Sequence, residues 1–427
     1  MLRPGLLAAL LVLAPVLGGC LGATTESPQG LLPGLGAVAL PLPTLKCPPA
    51  LNGTCNLLAT LEPERQGNEV TIAVNPTKPD NVVAGAKDYF PASAGECVWD
   101  GYYVTQDGGA TFTSSNVPGS PWKLLNDPGS FAPNELTSYW CLTDPSYAFG
   151  PDGTLYMGVM AYQGDPVTGS KTGAGVLPMG GLNDWAFNRV AQAVVISHDG
   201  GDTIDGISIV DFGSFPLNFH DREWLATDPE SGAIYDVWTT GLLEGNMFYR
   251  STDGGATWGQ PVFLDGLPIP DPNANTPGGL YVAAGPHGAV YVSGCGRDGP
   301  MISASRDGGA TFSPWMLFAE AQDDGMEATY RSGMVCMLAV DTSDGPFRGT
   351  VYMVWSDTRN GNRDVFLGSI RGDALGSEGG FAVQHHDQMQ VIQLNDDAST
   401  ADQFFPAVAV SPHGIVDVAW YDRRNDP

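Results

Sequence analysis

The octet Ser251-Thr252-Asp253-Gly254-Gly255-Ala256-Thr257-Trp258 has near copies at three other places in the chain. The copies are residues 105–112 (TQDGGATF), 197–204 (SHDGGDTI) and 305–312 (SRDGGATF). The paired glycines allow the positive φ of a tight turn, and the aspartate carboxylate can accept hydrogen bonds from the amides of that turn. Strand-like residues precede each octet, and a threonine and a large apolar residue follow the turn. The pattern predicts four hairpin turns.

The spacing of the octets predicts a repeat architecture. Asp199, Asp253 and Asp307 are separated by 54 residues in both steps, and Asp107 precedes Asp199 by 92 residues. A period near 50 residues with strands in each copy is typical of a β-propeller. The longer step requires either a blade without an octet or an insertion.

A second unit resolves that step: a short apolar strand, a turn, and another apolar strand. It occurs at residues 70–86, 145–160, 223–238, 280–294, 335–355 and 405–420. An octet follows each of the first four pairs, which gives four strands to a blade. The long step is then one blade with insertions at 113–140 and 163–189, and residues 365–381 form a degenerate octet hairpin in the fifth blade. The sequence predicts an all-β protein with six blades.

The sixth strand pair is followed by few residues before Pro427. A propeller that does not close its ring exposes edge strands. Either residues 31–66 supply the missing outer strands, or the chain is a fragment with an incomplete last blade. We favour the fragment, because the similar segment Trp355–Arg359 of the fifth blade continues into further strands.

The octet resembles the Asp-box, or BNR repeat, of the sialidase-like propellers, and the resemblance covers about residues 66–427. It implies a six-bladed sialidase-like β-propeller over residues 67–427. It also implies that the octet aspartates, Asp107, Asp199, Asp253 and Asp307, cap turns on the side opposite the active site. Calcium binding is the alternative, but only Asp199, Asp202 and Asp205 offer extra carboxylates, and they are too few for a calcium loop.

Composition restricts the partners. The formal net charge is −28, which argues against nucleic acid or an anionic membrane surface as a partner, because phosphate binding needs a basic surface. The simplest interpretation of the net charge is a solvated acidic surface. The resemblance implies instead an extracellular glycan or glycoprotein as the partner, and we expect a monomer.

The N-terminus predicts export. Residues 1–20 have the features of a signal peptide: Arg3, an apolar run over 6–16, and a small-residue site before Cys20. Leu17-Gly18-Gly19-Cys20 resembles a lipobox, which implies a cell-surface lipoprotein held to the membrane only by a lipid on Cys20. Ordinary secretion is the alternative. Residues 21–66, rich in glycine and proline, are interpreted as a tether.

Six further cysteines predict three disulfides in an exported chain. Their order along the chain favours Cys47 with Cys55, Cys97 with Cys141, and Cys295 with Cys336. The cysteine and histidine spacings do not match a zinc site, and phosphate-binding and dinucleotide motifs are missing from the sequence. We therefore predict neither a metal nor a cofactor.

Arginine is scarce, yet it recurs in the loops that a propeller of this kind brings to one face. The resemblance to sialidases implies arginines that hold a substrate carboxylate, a tyrosine nucleophile activated by a glutamate, and an aspartate as acid. The arginine candidates are Arg222, Arg331 and Arg359 or Arg423. The nucleophile candidates are Tyr330 or Tyr421, the base candidates Glu327 or Glu223, and the acid candidates Asp88 or Asp221.

Two observations favour other interpretations. An Asp-Arg or Asp-x-Arg pair at a strand end often pairs within its own loop. The first inner strand, Glu69-Val70-Thr71-Ile72-Ala73, lacks the Phe/Tyr-Arg-Ile-Pro motif of sialidases. Two functions therefore stay open: a glycoside hydrolase that acts on extracellular glycans, and a non-catalytic propeller that binds glycans or proteins. Trp185, in the 163–189 insertion, is the candidate for stacking on a sugar.

Overall fold

The computed structural model describes nine stretches of the chain, and the structural statements below refer to them. They are residues 67–89, 98–120, 133–163, 189–214, 219–240, 245–266, 275–322, 334–375 and 389–425. Their regular structure consists of strands β1 to β22 and two short 3₁₀ helices. None of the helices in these stretches is long and apolar enough to cross a membrane.

The strands form six antiparallel sheets in chain order. The first sheet contains β1 (Gly67–Val74), β2 (Val82–Asp88), β3 (Trp99–Thr105) and β4 (Thr113–Asn116). The second contains β5 (Cys141–Phe149), β6 (Leu155–Tyr162), β7 (Arg189–Ser197) and β8 (Gly206–Ser214). The third contains β9 (Asp221–Thr227), β10 (Ile234–Thr239), β11 (Asn246–Ser251) and β12 (Val262–Phe263). The fourth contains β13 (Gly278–Ala284), β14 (Val290–Gly296), β15 (Gly299–Ser305) and β16 (Met316–Leu317).

The fifth sheet contains β17 (Met337–Val340), β18 (Thr350–Asp357), β19 (Asp364–Arg371) and β20 (Gln390–Gln393). The sixth contains β21 (Gln403–Val410) and β22 (Val416–Asp422) in the described part of the chain. The first strand of each sheet packs against the first strand of the next, from β1 through β5, β9, β13 and β17 to β21. The protein is a six-bladed β-propeller, as predicted, and each sheet is one blade.

The four octets lie between the third and fourth strands of blades one to four. In the third blade, Ser251 Oγ donates to Asp253 Oδ1 at 2.8 Å, and the amide and hydroxyl of Thr257 donate to the same carboxylate at 2.9 and 2.6 Å. The Gly255 amide donates to Ser251 Oγ at 3.0 Å. The same four bonds recur in the other three octets. Each octet is therefore a self-contained turn whose aspartate is occupied by local donors.

The second glycine of an octet packs on the blade before it. A Cβ added at Gly309 would lie 2.3 Å from Phe248 Cζ of the third blade. A Cβ at Gly255 would lie 3.2 Å from Ile196 Cδ1 of the second blade, and one at Gly201 would lie 2.9 Å from Val104 of the first. Glycine thus provides both the positive φ and the close approach between blades.

Large aromatic side chains fill the spaces between blades. Trp99, Trp238 and Trp355 are almost completely buried, and Trp238 stacks on Tyr249 with ring centroids 4.9 Å apart. Apolar clusters bring together side chains of neighbouring sheets, such as Leu280 of the fourth blade and Tyr235 of the third. The burial of these faces is the main contribution to the stability of the ring.

One predicted disulfide is confirmed. Cys295 at the end of β14 is bonded to Cys336, next to β17, and so ties the fourth blade to the fifth. Cys141 is also disulfide-bonded, and its predicted partner Cys97 lies outside the described residues. Outside them as well lie Cys20, Cys47 and Cys55, the predicted signal peptide and tether, and Trp185.

Candidate functional site

The direction of the strands separates the two ends of the propeller. The inner strands begin at one end, where the turns between second and third strands also lie, and we name it the entry end. The octets lie at the opposite end, together with the turns between first and second strands. The Gly108 amide, for example, donates to the Asp80 carbonyl across two such turns. A site on the axis must be sought at one of these two ends.

Five of the six inner strands carry the same β-bulge near the entry end. Two residues of the inner strand lie opposite one residue of its neighbour, and the first of the two has a positive φ. We name these the bulge residues; they are Glu69, Asp144, Arg222, Gly279 and Phe405, with φ of 53°, 57°, 55°, 63° and 50°.

The bulge residues are unusual because four of them are not glycine. Among the described residues only one other non-glycine residue, His287, has a positive φ. The left-handed conformation costs a non-glycine residue on the order of 1 kcal/mol, and such strain is concentrated at functional sites. Bulges also re-aim side chains next to active sites. The repeated bulge therefore marks the entry end as the candidate site.

Glu69 and Asp144 form a carboxyl pair between the first and second blades. Their side chains share a hydrogen bond, and the Thr143 hydroxyl lies 3.2 Å from Glu69 Oε2 and 3.2 Å from Asp144 Oδ1. Lys87 Nζ, on β2, lies 3.2 Å from Glu69 Oε2. The Glu69 side chain stays 37% exposed, so one member of the pair is open to solvent.

The two carboxyls of the pair differ in their pKa. Burial raises the pKa of Asp144 well above its ordinary value, and the hydrogen bond with Glu69 raises it further. Burial alone would raise the pKa of Glu69 too, but the hydrogen bond from Asp144 and the positive charge of Lys87 lower it overall. The pair therefore favours a proton on Asp144 beside an ionised carboxylate on Glu69.

More carboxyls are buried beside this pair. Asp100 on β3 is fully buried, and burial together with Asp144 and Glu69 raises its pKa well above the ordinary value. Glu223 on β9 is 3% exposed, and burial together with Asp144 and Asp236 raises its pKa in the same way. Neither carboxyl has a hydrogen-bond partner among the described residues. The interior therefore favours the neutral form of both carboxyls, because burial and the neighbouring negative charges oppose ionisation.

Arg222 supplies a cation beside the pair. The residue is exposed, and a Cβ added at Gly279 would lie 3.4 Å from its Nη1, so the side chain extends from the third blade toward the fourth. Burial alone would lower the pKa of Arg222, but Tyr281 and the carboxyls of Asp144, Asp221 and Glu69 raise it overall. Arg222 and Asp221 are thus at the entry end with the carboxyl pair. Asp88 and Glu223, the other acid and base candidates on described strands, are buried in the blades behind it.

Arg359 is bound within its own loop. Its Nε lies 2.9 Å from both carboxylate oxygens of Asp357, its Nη2 donates to the Glu320 carbonyl of the fourth blade at 2.6 Å, and its guanidinium lies over the Phe366 ring. In the sixth blade Arg424, rather than Arg423, has the same arrangement: its amide and Nε donate to Asp422 at 2.8 and 2.7 Å. This Asp-x-Arg turn connects consecutive blades.

The other predicted site residues are divided between described and undescribed parts of the chain. Arg423 Nη1 lies 3.9 Å from Asp402 Oδ2, and Tyr421 is half-buried against Phe404. Glu327, Tyr330 and Arg331 lie outside the described residues. Within the described stretches no group of three or more histidine, cysteine, aspartate or glutamate side chains is arranged to hold a metal ion.

Sequence reasoning did not identify Glu69, Lys87, Asp144 and Phe405 as site residues. A signal for three of them exists in the sequence. Each bulge residue lies six positions before a turn residue that proline follows, as in Asn75-Pro76, Gly150-Pro151 and Ser411-Pro412. Aligning the inner strands on that proline places the bulge residues in one column.

The six sheets define a β-propeller, and its fold is similar to that of solved sialidases. Neither a family model nor a curated protein matches the chain. Its structure is similar to a Dyadobacter fermentans DSM 18053 protein of unknown function, with a TM-score of 0.51 and 14% identity over 86% of this chain and 93% of that one.

Two solved enzymes have the same degree of similarity. The intramolecular trans-sialidase of Ruminococcus gnavus has a TM-score of 0.51 and 12% identity over 84% of this chain and 90% of that one. The leech intramolecular trans-sialidase has a TM-score of 0.51 and 12% identity over 84% of this chain and 65% of that one. At these identities the likeness shows the fold alone.

Proposed function

We propose that this protein is a glycoside hydrolase that acts on extracellular glycans. The observation that carries the proposal is the Glu69–Asp144 pair, in which a protonated and an ionised carboxyl lie side by side at the entry end. Glycoside hydrolysis uses a protonated carboxyl as the acid for the leaving oxygen and a carboxylate beside the developing positive charge.

The roles follow from the pKa directions. Asp144 gives its proton to the glycosidic oxygen as the bond from that oxygen to the anomeric carbon breaks. Glu69 stabilises the positive charge that develops at the anomeric carbon. Asp144, now a carboxylate, then takes a proton from the water that attacks that carbon, and the hydroxyl of that water completes the product. Lys87 keeps Glu69 ionised between cycles. Arg222 is the described cation that would hold an anionic substituent of the sugar.

The sialidase-type assignment of Tyr330, Glu327 and Arg331 belongs to the proposal as well. These residues would complete a site of which Arg222 and Asp221 are the described part. The signal peptide, the lipid anchor on Cys20, a monomeric state and a glycan or glycoprotein partner are also proposals, and their support is the N-terminal sequence and the net charge of −28.

The test is hydrolysis of a panel of aryl glycosides, including a sialoside, by the chain and by its Glu69→Gln variant. Glu230→Gln is a matched control, because Glu230 is also 37% exposed and also pairs with a cation, Arg348 at 2.7 Å, but lies at the octet end. We expect Glu69→Gln to lower kcat by about 100-fold or more and Glu230→Gln to leave it unchanged. Equal activity of both variants would refute the role of Glu69.

A non-catalytic propeller that binds glycans or proteins is the second candidate. It is favoured by Arg359 and Arg424, whose guanidinium groups are engaged by loop carboxylates and not presented to the axis. Folded protein that turns over none of the glycosides but binds one of them would support this function instead.

A further inference from the structure

The sixth blade places an aromatic ring where other blades place charged groups. Phe405 is the bulge residue of β21, between the paired positions Phe404↔Tyr421 and Ala407↔Ala419. It has a φ of 50°, a conformation that is rare for a bulky side chain. Strain of this kind persists only where the surrounding structure holds the residue in place, and it is concentrated at functional sites.

Neighbouring rings hold Phe405 in place. Phe404 is buried and stacks on Tyr421 with centroids 5.6 Å apart and an interplanar angle of 13°. Phe405 stands nearly perpendicular to both, at 5.2 Å and 71° from Phe404 and 6.1 Å and 85° from Tyr421. We name these three residues the aromatic platform. Phe405 and Tyr421 are only half-buried, so each presents part of its surface to solvent.

We propose that the aromatic platform is a sugar-binding subsite at the entry end that takes the pyranose ring of a neutral sugar. The apolar C–H face of a pyranose packs on an aromatic ring, and two perpendicular rings contact a sugar from below and from the side. This inference rests on the proposed function, but binding at the platform can be measured without hydrolysis.

The position on the inner strand carries the assignment. The same bulge that points Glu69, Asp144 and Arg222 to the entry end points Phe405 there, and β21 packs against β17 and β18 of the fifth blade. Burial raises the pKa of Tyr421, so its phenol is neutral and can donate a hydrogen bond to a sugar hydroxyl.

The experiment measures binding of cellopentaose, mannopentaose and chitopentaose by titration calorimetry. It uses the Glu69→Gln variant of the full chain, so that hydrolysis does not consume the ligand. Phe405→Ala in that background should weaken binding of one of the three by about five- to ten-fold. Phe405→Leu, which keeps bulk but removes the ring face, should show most of that loss.

Phe347→Ala is the control. Phe347 is also an exposed aromatic residue, 59% exposed, but it lies in the turn between β17 and β18 at the octet end. Its substitution should leave the dissociation constant unchanged. Equal binding by Phe405→Ala, Phe405→Leu and the parent, or no binding of any of the three sugars by the parent, would overturn the inference. Platform-dependent binding without turnover of any glycoside would keep the subsite and reject the hydrolase.

Discussion

Gly255 and Gly309 allow the close contact between blades to be measured separately from backbone strain. Both are the second glycine of an octet, and both have a φ of 84°. Replacement by alanine therefore costs the same backbone energy at each site, about 1–2 kcal/mol. The two sites differ in what the added methyl group meets.

At Gly255 the methyl group would lie 3.2 Å from Ile196 Cδ1, the flexible end of a side chain that can retreat by a few tenths of an ångström. At Gly309 it would lie 2.3 Å from Phe248 Cζ. Phe248 is fully buried, with Phe312 and Tyr235 at centroid distances of 4.7 and 5.6 Å, so its ring has little room to move. Overpacking of this kind costs about 1–3 kcal/mol. We expect Gly309→Ala to lose that much more unfolding free energy than Gly255→Ala.

Urea unfolding followed by tryptophan fluorescence gives the comparison. The urea concentration at the midpoint should be highest for the parent, lower for Gly255→Ala and lowest for Gly309→Ala. The dependence of the unfolding free energy on urea should have the same slope in all three. Equal midpoints for the two variants, or a larger loss for Gly255→Ala, would show that Gly309 is not packed more closely against the preceding blade than Gly255 is.

Three further predictions concern charge and covalent structure. Lys87→Met removes the cation that lowers the pKa of Glu69, so the acid limb of the pH–rate profile should move to higher pH; an unmoved limb in glycoside assays would contradict the role of Lys87. Burial lowers the pKa of His220 from 6.5 to about 4. Between these two pH values the unfolded chain binds a proton at His220 that the folded chain does not bind. The free energy of unfolding should therefore fall by up to about 3 kcal/mol as the pH drops from 6.5 to about 4. His220→Phe should flatten this dependence in urea unfolding at several pH values, and a fall as steep as the parent's would exclude His220 as its source. Replacing Cys295 and Cys336 by alanine should lower the unfolding free energy by about 3–4 kcal/mol, because the bond closes a loop with a sequence separation of 41; an unchanged urea midpoint would disprove this.

The propeller could be predicted because its signal is local and repeated. The octet specifies its own turn through four hydrogen bonds, and the 54-residue step from Asp199 to Asp253 to Asp307 sets the length of a blade. The pairing of Cys295 with Cys336 followed from the same order, since neighbours along the chain become neighbouring blades.

The candidate site was harder to predict because it depends on backbone conformation. A positive φ can be inferred from the sequence at Gly279, but Glu69, Asp144 and Phe405 adopt it against their preference. The arginine pattern indicated which loops carry arginine, but not where each guanidinium group points. Asp357 binds Arg359 locally, a competition that sequence spacing alone does not resolve.

The contact of each octet with the preceding blade gives the ring a direction. The octets of the second, third and fourth blades pack against Val104, Ile196 and Phe248, and each of these residues belongs to the blade that comes before in the chain. On the ribosome, each new blade would therefore emerge beside a surface that is already folded. We expect the propeller to assemble by accretion in the order of synthesis, and stalled chains that end after the third blade should already protect the first two from protease.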